Sequence, residues 1–436
     1  IPVALSMYAS LTSATTYLAL PSEAYHRNIA IVVAGLSSLM AAPLLIFLIY
    51  PVFRRLRVTT SYEYIGQRFG PRARWVTSLL FVSARLSWMG LVVFAPSLAL
   101  ALMTGWPLWA CILLMGLLAT SYTVMGGLSA VLWTDVVQFI VLVGGAIWVA
   151  IAVSTGTPGG VSQILEHASS TDRLAVFAWR PRLAETTLIS AGLCFFLQML
   201  QDYGTDQVSV QRLMAIRKDS GVAKALLFNS MTDLLMIGLL LFIGLGILAF
   251  YAASGTPPEL SQPDQLLPHF IVNQLPAGIA GLVITAILAA AMSSMDSGIN
   301  SLATVITSDL ARPLRPDMSD PTALRLARGL TLVLGATATG LAFGVSRFEN
   351  ILDAFSTFMG LFNAPVLALF MLGLLSRRAR FNHWLVALAI SIPAALALRS
   401  HLDWSWRFPV SFALCFFPAW ALGLLRPPRE TVQQKP

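Results

Sequence analysis

Apolar stretches long enough to cross a bilayer recur from one end of this chain to the other. Inside lipid a backbone must satisfy its own hydrogen bonds, which leaves helices or a closed barrel. The runs are about 20 residues long, the length a spanning helix needs, whereas barrel strands take about 10. Twelve spans are expected, at about 1–20, 29–50, 75–103, 106–125, 131–153, 184–203, 228–252, 276–308, 326–346, 351–375, 383–399 and 407–425. Charged residues make up 11% of the chain, against about 25% in soluble domains, so no soluble domain can be excised from it. The fold class is an all-α integral membrane protein. Ile1 already lies inside an apolar run, and the reading expects further sequence upstream.

The net charge of +8 is distributed in a way that excludes a nucleic-acid footprint, which would cluster on a soluble module. Arg54, Arg55, Arg57, Arg68, Arg72 and Arg74 follow span two. Arg212, Arg217, Lys218 and Lys224 lie between spans six and seven, and Arg312, Arg315, Arg325 and Arg328 follow span eight. Arg377, Arg378 and Arg380 follow span ten, and Arg426, Arg429 and Lys435 end the chain. All fall on one side of a twelve-span zigzag, while the loop from Ser254 to Asn273 has no Lys or Arg. This asymmetry puts the C-terminus in the cytoplasm of a cell with an inner (plasma) membrane. Cys111, Cys194 and Cys415 sit singly in apolar runs and the five His are scattered, so metal catalysis has no support and no enzyme is expected.

Polar residues inside the spans carry the functional signal. In span eight Ser293, Asp296, Ser297 and Asn300 recur at three- and four-residue steps and share one helix face. A carboxylate at membrane depth costs about 2.5–3.5 kcal/mol on insertion scales and faces a cavity or a partner. With hydroxyls beside it, it offers hard oxygen ligands to a small cation. Span one crowds Ser10, Thr12, Ser13, Thr15 and Thr16 into its middle, which fits close helix packing or a broken helix whose freed carbonyls bind a cation. Gly126-Gly127 makes a tight turn before span five. Asp135 in span five either complements a helix N-terminus or joins Asp296 around one ion, sodium or a proton. Arg85 lies about 15 Å into span three, at 1.5 Å per residue, too deep to snorkel. It either neutralises a structural acid such as Asp202 or clamps a solute carboxylate. Span six holds Gln198, Gln201 and Asp202, with Gly204 able to let the helix break; Asp206, Gln207 and Arg212 read as a solvated or loop-fixing cytoplasmic cluster.

Four signatures in order, TSYEYIGQRFGPRAR (Thr60 to Arg74), YTVMGGLSAVLWTDVVQ (Tyr122 to Gln138), GTDQVSVQR (Gly204 to Arg212) and AAAMSSMDSGINS (Ala289 to Ser301), resemble the sodium/solute symporter family, with its bacterial sugar-acid branch nearest. The resemblance implies a core of five-plus-five inverted repeats: spans one to five (1–155) and six to ten (184–376), separated by an extracellular loop (156–183) and followed by two further spans and a cytoplasmic tail (377–436). The family has one more helix at the N-terminus. The resemblance also implies a sodium site made by the carbonyls of Ala9, Thr12 and Ala290 and the hydroxyls of Ser293 and Ser294. A second would use Asp135, Ser293, Asp296 and Ser297, Asp296 standing where the sugar-acid branch has a serine. Ser13 and Thr16 match solute contacts, and Leu11, Ile31, Gly35 and Trp88 fall at the remaining pocket positions. Trp88 replaces a carboxylate-binding arginine, with Arg85 one turn away on the same face.

The expected function is import of a small organic solute, a carboxylate or sugar acid, coupled to one or two sodium ions across the lipid bilayer. A neutral sugar or amino acid as solute and a proton as coupling ion are the alternatives. A transporter-like membrane sensor is the alternative of another class, disfavoured by the short tail RPPRETVQQKP after Leu425.

Overall fold

The computed structural model describes residues 2–425 except 57, 59, 126–127, 175–182, 217, 316 and 349. The Gly126-Gly127 turn, Arg57, Arg217 and the basic residues of the tail therefore lie outside the described residues. Every regular element among the described residues is helical. Nine helices among them are long and apolar enough to cross a membrane: Ala30–Leu56, Pro71–Thr104, Asp135–Gly156, Asp219–Ser254, Ala277–Leu314, Asp320–Val345, Ile351–Leu375, Phe381–Leu398 and Trp404–Leu424. These correspond to spans two, three, five and seven to twelve. The shorter apolar helix Leu108–Val124 is span four.

Spans one and six complete the set, and each is divided. Span one is Pro2–Leu11 followed by Ala14–His26. Ser13 sits extended between them (φ −111°, ψ 172°) and accepts a hydrogen bond from the Thr15 amide at 3.2 Å. A hydroxyl that caps a new helix stops the old one, and the last carbonyls of Pro2–Leu11 are left without intrahelical donors. Span six is Leu188–Gly204 followed by Gln207–Met214. Here Asp206 (φ −73°, ψ 130°) caps the second piece by accepting from the Val208 amide at 2.8 Å. Gly204 serves packing: a Cβ there would stand 2.9 Å from Ile49 Cδ1 of span two.

The broken helices are wrapped by unbroken ones. Pro2–Leu11 packs on Leu128–Gly156, Asp219–Ser254, Ala277–Val305 and Gln207–Met214. Ala14–His26 packs on Asp219–Ser254 and Pro71–Thr104. Spans four and nine interlock through small residues, the Thr339 side chain lying over Gly116 and Thr120 over Gly335. Glycine at both positions lets the backbones approach, the usual route to helix association where lipid removes the hydrophobic drive. On the outside Phe47, Leu117, Ile140, Leu235 and Val333 are exposed, an apolar surface suited to acyl chains.

Candidate functional site

Where span one breaks, its middle meets span eight: Ser10, Thr12, Ser13 and Thr15 of the one and Ser293, Ser294, Asp296 and Ser297 of the other are buried, whereas Asn300, expected on the same face, is exposed. Asp135 of span five is fully buried and organises the cluster. Its Oδ1 accepts a short hydrogen bond from the Ser293 hydroxyl, and its Oδ2 accepts one from the Ser6 hydroxyl at 2.7 Å. The Ser294 hydroxyl donates to the Ser10 carbonyl at 3.4 Å, tying span eight to the freed end of the first half-helix. The Ser10 and Ser297 hydroxyls lie 2.9 Å apart. Ala9, Thr12 and Ala290 are buried at the same junction. Carbonyls, hydroxyls and one carboxylate form an all-oxygen environment, the chemistry of a hard cation.

Arg212 enters this cluster. Its Nη2 donates to Ser10 Oγ at 2.9 Å and to Ser297 Oγ at 2.8 Å, its Nε donates to Ser6 Oγ at 3.3 Å, and Nη2 stands 4.0 Å from Asp135 Oδ2. By sequence it belongs to a cytoplasmic loop cluster. The break in span six overturns that, because it turns Gln207–Met214 back against Pro2–Leu11. Asp206 likewise reaches the interior, where its carboxylate pairs with Arg85 Nη1 at 3.4 Å. Asp296 hydrogen-bonds Thr123 of span four. Asp135 and Asp296 therefore have different hydrogen-bonding partners rather than clasping a common one.

Beside the cluster lies a cavity of about 140 Å³ whose wall includes Ser10, Thr12, Thr16, Ile31, Arg85 and Trp88. Five of the expected pocket positions, Leu11, Thr16, Ile31, Arg85 and Trp88, thus come together there. Ser13 and Gly35 are off its wall. Ser13 is occupied in capping the second half of span one, and Gly35 is pressed against span seven, where a Cβ would stand 2.6 Å from the Leu234 Cα. Trp88 packs edge-on against Phe355 of span ten, ring centroids 5.2 Å apart. Arg85 is 7% exposed, and its Nε and Nη2 have no hydrogen-bond partner among the described residues.

Asp233 of span seven, which the sequence motifs do not single out, also lines the cavity. It accepts from the Ser38 hydroxyl at 3.0 Å and the Tyr203 hydroxyl at 3.1 Å. A lone acid in the apolar run of Asp219–Ser254 is its available signal. Asp309 escapes the motifs as well. Buried at the end of span eight, it accepts from Arg74 Nε and Thr60 Oγ1, each at 3.0 Å, and locks spans three and eight together.

Paired broken helices around an oxygen-rich cluster and an adjoining cavity define a secondary transporter of the ion-coupled kind, not an enzyme. The family model of the sodium:solute symporter family matches residues 1–389. The sodium/sialic acid symporter NanT of Aliivibrio fischeri is 30% identical over 410 residues, covering 92% of this chain and 81% of that protein. The sodium-coupled monocarboxylate transporter 2 of Bos taurus is 32% identical over 395 residues, covering 89% of this chain and 63% of that protein. Among solved structures, a Na+-coupled sialic acid symporter in a substrate-bound outward-open state is 28% identical, with a TM-score of 0.88 over 98% of this chain and 90% of that one. The nucleobase-cation symporter Mhp1, at 15% identity and a TM-score of 0.59 over 97% of this chain and 92% of that one, shares the fold. The chain belongs to the sodium:solute symporter family, and is a multi-pass inner-membrane protein that couples solute movement to sodium.

Proposed function

We propose that this transporter imports a small organic carboxylate, in the range from monocarboxylates to sugar acids, driven by sodium that binds at the junction of spans one and eight. One observation carries the reading: Ser10, at the break in span one, belongs to the oxygen cluster and also lines the cavity, as does the adjoining Thr12. Ion and solute then order the same segment, so each raises the affinity of the other by the same factor. The carbonyls of Ala9, Thr12 and Ala290 with the Ser293 and Ser294 hydroxyls form the first sodium site. Asp135, Ser293 and Ser297 form the core of a second, with Asp296 held aside by Thr123. Arg85, buried and with two nitrogens unpartnered, is the anchor for the solute carboxylate.

The division of spans one and six, the first of each five, supports two inverted repeats at 1–155 and 184–376, with 156–183 as the loop between them and 377–436 as the addition. The basic loops support a cytoplasmic C-terminus.

The test is thermal stability of the purified protein in sodium against potassium at constant ionic strength, with a panel of organic acids, sugars and amino acids. A ligand that binds the folded state raises stability by RT ln(1 + [L]/Kd). A sodium-specific rise that carboxylates enlarge is expected. Equal stability in both salts, with and without solutes, would overturn the proposal.

A further inference from the structure

We infer that the solute carries a cationic nitrogen as well as a carboxylate, and that Asp202 is the residue that selects it. The inference rests on the cavity being the solute site proposed above. Four charged side chains line that cavity: Arg85, Asp202, Asp206 and Asp233. Asp206 is paired with Arg85 at 3.4 Å and bonded to the Val208 amide. Asp233 is held by Ser38 and Tyr203. Asp202 alone of the three acids has no hydrogen bond or ion pair among the described residues. Its side chain stands in the cavity wall, two residues before the end of Leu188–Gly204 in span six. An ion taken out of water without a partner costs several kcal/mol. The solute is the group that can supply the missing charge.

The surroundings separate an organic cation from a metal ion. Sodium needs several oxygens together, and the cluster around Ser10 and Ser293 supplies them. The cavity wall also carries aromatic and thioether side chains, Phe81, Trp88, Phe195 and Met199, with amides from Gln198 and Asn363. A carboxylate in a cavity walled by aromatic faces can hold an ammonium, through charge and cation–π attraction. In the same wall the Nε and Nη2 of Arg85 form one edge of the guanidinium, both without a hydrogen-bond partner among the described residues, and that edge matches a carboxylate in a bidentate contact. A carboxyl without a hydrogen bond and a guanidinium edge without one, in one small cavity, fit a compact zwitterion with an apolar body. A simple monocarboxylate would leave Asp202 bare.

The test uses two matched sets on the purified full chain in sodium: L-valine with 3-methylbutanoate and isobutylamine, and 5-aminopentanoate with pentanoate and butylamine. N-acetylneuraminate is run beside them. Binding is read from the stability shift and from competition for uptake in proteoliposomes. At least one zwitterion should bind about tenfold or more tightly than both of its truncated partners, the scale expected when one charge-assisted hydrogen bond is removed from a buried site. Asp202→Asn should bring that zwitterion to within about twofold of its carboxylate partner, and Asp202→Glu should keep the preference. A simple carboxylate or N-acetylneuraminate binding as tightly as the better-bound zwitterion overturns the inference and leaves sodium-coupled carboxylate import standing. So does an Asp202→Asn protein whose sodium affinity falls in the absence of solute, since Asp202 would then hold an ion. If no solute registers in sodium, the proposed function fails with it. The wild-type panel decides the matter even where a variant does not fold.

Discussion

Ser293 shows how one hydroxyl serves two neighbours. It donates its proton to Asp135, so its lone pairs are left for a cation at the end of the broken helix. Ser293→Ala removes a cation ligand and strips Asp135 of one donor, leaving the carboxylate held by Ser6 and the more distant Arg212. Sodium affinity, read from a sodium titration of the melting temperature, should fall about tenfold, the effect of one charge-assisted interaction. If the affinity of the variant matches the wild type, the site lies elsewhere. Asp264, in the loop between spans seven and eight, gives a pH prediction. Burial pushes its carboxyl up to about 6, with the Ile351 amide, donating at 2.7 Å, acting in the opposite direction. The folded protein thus holds this proton more tightly than the unfolded chain, whose carboxyl has a pKa of about 4. The sign follows: the contribution is complete below about pH 4 and is lost as pH rises through about 6. Asp264→Asn keeps an acceptor for the Ile351 amide, so its melting temperature should decline less over that interval. Parallel pH curves for the two proteins would remove Asp264 from the account.

Among the elements, the two broken helices do the positioning and the continuous ones hold them. Span two illustrates the difference between lining a site and supporting it. Ile31 is in the cavity wall, whereas Gly35, one turn on, faces the Leu234 backbone of span seven. Gly35→Ala inserts a methyl group where 2.6 Å is available, against backbone that cannot rotate away. Overpacking of this kind costs about 1–3 kcal/mol. The variant should melt at a lower temperature while the surviving folded protein keeps its solute affinity. A selective loss of solute affinity with unchanged melting would return Gly35 to the binding site. Arg212 shows the same division from the other side. Its span looks interfacial by sequence, but the cap at Asp206 redirects the helix and carries the guanidinium to Ser10 and Ser297.

For the whole molecule, the proposed sites would couple because cluster and cavity share the middle of span one. A saturating solute should lower the sodium concentration needed for half-maximal stabilisation, and saturating sodium should lower that for solute by the same factor. Unequal factors at equilibrium would mean that a further ligand or state takes part. Membrane class, the long apolar helices and the polar stripe of span eight could be read from the sequence, because apolar run length and helical period are local properties. The four signatures marked the family for the same reason. Ser293, Asp296, Ser297 and Asp135 were legible as site candidates, since a polar group inside an apolar run stands out without its neighbours; Ser294 came only from the family resemblance. Which of them meet was not legible. Asp296 turns to Thr123 and Asp135 to Ser6 and Ser293, because helix rotation and crossing are set by packing between segments more than a hundred residues apart. The inward turn of Arg212 and Asp206, the place of Asp233 in the wall and the exclusion of Ser13 and Gly35 were decided by the tertiary structure for that reason. Sequence determined what each helix is made of. Only the packing of twelve spans determined which faces look at one another, and so which charges in the cavity are left for a solute to answer.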